Sequence, residues 1–96
     1  MRIASIIFAA AMLSGACHAK PMACRDEVGH ERASVFVRDC ALTSPATHPP
    51  CNEANPCWMM VKEVVRSCDL PLPGAPDPKL CARYKDLQKR YPAPGA

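Results

Sequence analysis

The chain has 96 residues, twelve basic against nine acidic, and 49% of it is hydrophobic. That length holds one small domain and excludes a multidomain enzyme, a doubly wound nucleotide-binding fold and a polytopic membrane protein. The weak net charge of +3 and the apolar half exclude a disordered, highly charged tail.

The first twenty residues read as an export signal. Met1-Arg2 is a short positive start, Ile3 to Leu13 is apolar or small, and Ser14 to Ala19 supplies small residues around a cleavage site. The apolar run is too short to cross a bilayer, which needs roughly twenty residues. Cutting after Ala19 or after Ala16 satisfies the small-residue rule. The Ala19 cut removes Cys17 and leaves an even set: Cys24, Cys40, Cys51, Cys57, Cys68 and Cys81. A third outcome is a lipoprotein acylated on Cys17, since Ser14-Gly15-Ala16-Cys17 resembles a lipobox with Leu13 one position too far away. That would anchor the chain to a membrane.

Prolines divide the remainder, because proline inside a helix removes a hydrogen bond and clashes with the preceding turn. Three stretches free of interior proline are predicted helices. The first covers about Asp26 to Ala41, with Gly29, Ala33, Phe36, Val37 and Cys40 on one face. Its Val35-Phe36-Val37 segment also suits a strand, and Gly29 weakens its first half. The second starts with Asn55 as N-cap and Pro56 in the first turn. Cys57, Met60, Val61, Val64, Val65 and Cys68 make its buried stripe, with Lys62, Glu63, Arg66 and Ser67 on the other side. The third starts with Asp77 as N-cap and Pro78 at the first position. Leu80, Tyr84, Leu87 and Tyr91 form its apolar edge, and Lys79, Arg83, Lys85, Lys89 and Arg90 make the rest basic. Residues 92–96 form a Pro/Ala/Gly tail.

The expected fold is therefore mainly α: residues 20–91 make a small bundle of about three helices, stapled by disulfides, after a signal peptide over 1–19. Dense cysteines in an exported chain imply three bridges. Cys40–Cys51 and Cys57–Cys68 enclose equal gaps, but Pro45, Pro49 and Pro50 stop the first from being a continuous helix. Up-down-up packing favours Cys40 with Cys57, Cys24 with Cys68 and Cys51 with Cys81, out of fifteen possible pairings.

Catalytic chemistry finds little purchase. There is no Cys-x-x-Cys pair for thiol exchange, and His30 and His48 lack the paired spacing of a zinc site. His30 beside Glu31, or His48 in its loop, offers a base without an evident nucleophile or enclosing wall. Met22, Met59 and Met60 lie near cysteines, and soft sulfur ligands favour Cu(I). Methionine also fills core gaps, however, and Met60 sits on the buried stripe. The mature charge is too scattered for a nucleic-acid surface.

Two features resemble recognition surface. The loop Ser44–Asn55 holds His48, Pro49, Pro50 and Asn52, rigid and polar residues that cysteines can pin, though it also suits a spacer. Trp58 lies off the main stripe, and tryptophan is favoured at interfaces. The expectation is a periplasmic or secreted, non-catalytic, inhibitor-like binding module. It needs no cofactor, metal or nucleic acid. Its partner is another envelope or secreted protein, contacted through His48, Pro49, Pro50, Asn52, Trp58 and the basic third helix. A Cu(I)-binding protein and the Cys17 lipoprotein are the alternatives.

Overall fold

Gly29 splits the first predicted helix in two. The computed structural model describes residues 22–70 and 76–95; the expected leader over 1–19, Cys17 and the two expected cleavage positions lie outside them. Helix α1 covers Cys24–Val28 and α2 covers His30–Thr43. Between them Gly29 adopts φ +92°, ψ 156°, a conformation essentially confined to glycine. Its N–H still bonds the Arg25 carbonyl, and its own carbonyl accepts from Ala33. The backbone therefore changes direction while Gly29 keeps both of its own backbone hydrogen bonds. Val35-Phe36-Val37 lies within α2, not in a strand.

Helix α3 covers Cys57–Cys68 and α4 covers Pro78–Arg90. The fold is mainly α, with four helices and no strand among the described residues. Cys57, Met60, Val61 and Val64 are fully buried, as the helical stripe requires. Burying each of the larger side chains contributes about 1.5–3 kcal/mol. Two expected side assignments change: Glu63 and Ser67 are buried. Ser67 donates to the Glu63 carbonyl, while the Glu63 carboxylate takes Ser44 from the end of α2 and Arg66 from its own helix. Both groups enter the interior because their polar atoms are partnered there.

Asn55 is not the cap of α3. The helix begins after Pro56, without a side-chain cap. Asn55 instead donates from Nδ2 to the Pro50 carbonyl (3.2 Å). The cap of α4 is as expected, with Asp77 accepting from the Lys79 N–H at 2.9 Å and Pro78 in the first turn. Tyr84 is buried, and Leu80, Leu87 and Tyr91 pack against the same core. Phe36 meets Tyr84 and Tyr91 edge to face, with centroids 6.0 and 5.7 Å apart. That geometry suits the ring quadrupoles.

The connection from α2 to α3 is a return path. Cys51 is tied to Cys40, the Glu53 carbonyl accepts from the Arg25 N–H, and the Asn55 carbonyl accepts from the Cys24 N–H. As the loop advances, its partners recede toward the start of the chain. Helix α3 therefore begins beside the start of α1, not at the end of α2. This overturns the expected pairing at every bridge. Cys57 meets Cys24 (Cα–Cα 4.5 Å), Cys40 meets Cys51 (5.5 Å), and Cys68 meets Cys81 in the first turn of α4 (5.9 Å). The up-down-up assumption failed because it joined consecutive helices end to start, whereas the proline-rich loop is long enough to run back along α2. Three disulfides in so small a domain belong to an oxidising compartment. Among the described residues no helix is long and apolar enough to cross a membrane.

Candidate recognition surface

The returning loop lays Pro50 against the first turns of α3. Pro50 and Trp58 line one surface concavity of about 220 Å³, together with Met59, Lys62, Glu63 and Arg66. Local hydrogen bonds fix the loop side of it. The Pro50 carbonyl accepts from the Asn52 N–H (2.9 Å) and from Asn55 Nδ2. The Asn52 Oδ1 accepts from the Ala54 N–H at 2.7 Å, an Asx turn. The neighbouring Cys40–Cys51 bridge holds the same segment to α2.

The helix side follows from spacing. Trp58, Lys62 and Arg66 are four residues apart, so they share one face of α3. Trp58 and Met59 are half-buried and give the concavity an apolar floor, while Lys62 is exposed at its edge. Glu63 is engaged internally. Its hydrogen bonds from Arg66 hold its carboxyl below the usual carboxylate range, aided by Ser44 and opposed by burial. Lys62 is thus the cation on this rim without an ion pair among the described residues. The arrangement has the chemistry to take an apolar group with negative charge beside it.

The five expected partner-contact residues do not all gather there. Pro50 and Trp58 do. Pro49 is half-buried in the loop, His48 is exposed, and Asn52 serves the turn. Sequence reasoning missed Met59, Lys62, Glu63 and Arg66 as members. The four-residue spacing from Trp58 was the available signal for Lys62 and Arg66; nothing local pointed to Pro50 as their neighbour.

Most of the other candidate residues are engaged in structural contacts. His30 Nδ1 lies 2.9 Å from Glu53 Oε1, clamping the loop to the start of α2. The nearby Ser34 hydroxyl donates to the His30 carbonyl, not to its ring. All six described cysteines are in bridges, Met60 is in the core and Met22 is exposed. No cluster of three or more His, Cys, Asp or Glu suited to a metal ion occurs among the described residues. No protein-family model matches the chain, and no curated protein or solved structure is significantly similar to it.

Proposed function

We propose that the protein is an exported, non-catalytic binding module of the bacterial envelope, periplasmic or secreted, that captures another envelope or secreted protein. The observation that carries this reading is the meeting of Pro50 and Trp58 in one concavity. They come from different segments, and two covalent staples fix both: Cys40–Cys51 behind the loop and Cys24–Cys57 at the start of α3. Binding groups on a rigid scaffold lose less entropy on association, and tryptophan is a frequent energetic anchor. The basic face of α4 adds a surface for acidic contacts. An inhibitor-like role is consistent with the size.

A Cu(I) role is weaker, because the six described cysteines are in disulfides and Met60 is enclosed. Lipidation at Cys17 would change the anchoring but not the surface.

The test is quantitative capture of envelope proteins on the immobilised oxidised chain, beside Trp58→Ala and Pro50→Ala. A partner retained stoichiometrically by the native chain and at least tenfold less by Trp58→Ala, with helicity and bridges unchanged, supports the reading. Equal retention by both variants sinks it.

A further inference from the structure

A second groove lies between α2 and α4 and shares no lining residue with the Trp58 concavity. Its volume is about 230 Å³. Small-molecule sites usually hold about 300–1,000 Å³, so this one has room for a single leucine- or phenylalanine-sized side chain. Val35, Phe36, Tyr84 and Leu87 line it, with Arg32, Arg83 and the Asp39 carboxylate as its charged members. Val35 is 42% exposed and Leu42, two helical turns on along the same side of α2, is 75% exposed. A surface helix normally turns charges outward; α2 does so with Arg32 and Arg38, yet leaves Val35 and Leu42 exposed between and beyond them.

The charges around it are unbalanced. Asp39 is 3% exposed and faces Arg38 at 3.5 Å and Arg83 at 3.6 Å. One carboxylate thus sits among three arginines, and Arg32 makes no ion pair among the described residues. A second copy docked groove to groove about a twofold axis would bring arginines against arginines. An interfacial lipid contact would favour exposed aromatic rings, and the two rings that line this groove, Phe36 and Tyr84, are both buried.

We infer that the α2–α4 groove binds an acidic peptide segment of a partner protein, which inserts one aliphatic or aromatic side chain over Val35 and Leu87 and sets a flanking carboxylate on Arg32. This holds whether or not the Trp58 concavity is a partner site.

The experiment is a titration of the ¹⁵N-labelled, oxidised chain with the peptide acetyl-Asp-Asp-Leu-Glu-Asp-amide. Controls are the same peptide with serine for leucine, and with lysine for every acid. The expected result is saturable shifts at Arg32, Val35, Phe36, Arg83 and Leu87, with both controls at least tenfold weaker. Arg32→Glu and Val35→Ser, both at exposed positions, should each weaken binding about tenfold, equivalent to about 1.4 kcal/mol. Arg32→Lys should retain part of it, and Trp58→Ala should leave it unchanged. No saturable shift at these residues up to ~5 mM peptide overturns the inference, since weaker binding carries no specificity. Equal binding of the lysine or serine peptide overturns it too. So does a dimer burying Val35 and Leu42, or binding to 3:1 phosphatidylcholine–phosphatidylglycerol vesicles that Val35→Ser abolishes while the peptide fails.

Discussion

Tyr84 donates a 2.6 Å hydrogen bond to Asp39 across 45 residues of sequence, and both side chains are buried. This bond joins α4 to α2 under the groove between them, where Tyr84 also meets Phe36 edge to face. Tyr84→Phe would leave the Asp39 carboxylate buried without its closest donor. The expected loss is about 1.5–3 kcal/mol in urea unfolding, the range for a hydrogen bond to a charged group. A double-mutant cycle with Asp39→Asn should show coupling; strict additivity would mean that the bond contributes nothing.

The same pair sets an alkaline limit. Burial, then the hydrogen bond to Asp39, pushes the Tyr84 phenol well above the ordinary tyrosine range, with Arg83 and Arg38 pulling weakly down. A group whose folded pKa is raised stabilises the fold fully below its unfolded value. That contribution is lost as pH rises past ~10. In a Tyr91→Phe background the phenolate absorbance should therefore appear only together with loss of helical ellipticity. A phenolate that forms in the folded chain near pH 10 would contradict the burial.

Glu63 sets the opposite limit. Its carboxyl is held low by Arg66 and Ser44. Its contribution is present above the unfolded value of ~4.3 and lost as pH falls through the lower folded value. Glu63→Gln should flatten the fall in thermal stability below that pH. An unchanged acid limb would show that Glu63 is not its source.

Gly29 is held in left-handed space with no atom near where a side chain would begin. Gly29→Ala should therefore cost about 1–3 kcal/mol through backbone strain alone. A neutral or stabilising effect would mean that the α1–α2 corner is not as described.

Much of the helical architecture was legible because its signals are local. The α3 stripe follows from four-residue spacing, and the α4 start from Asp77-Pro78. Gly29 carried a visible warning of a break. The return path was not legible, because it depends on where Cys51, Glu53 and Asn55 find partners far back in the chain. The bridge pairings, the burial of Glu63 and the meeting of Pro50 with Trp58 all depend on that path. Asp39 escaped notice for the same reason: its partner is a tyrosine on another helix.

The most direct test is therefore non-reducing proteolysis and mass mapping of the chain exported by a periplasmic expression system. The account predicts Cys24–Cys57, Cys40–Cys51 and Cys68–Cys81, with no alkylatable thiol among these six. Cys40 paired with Cys57, or a free Cys51, would contradict it: the loop would no longer run back along α2, and the scaffold that brings Pro50 to Trp58 would not exist.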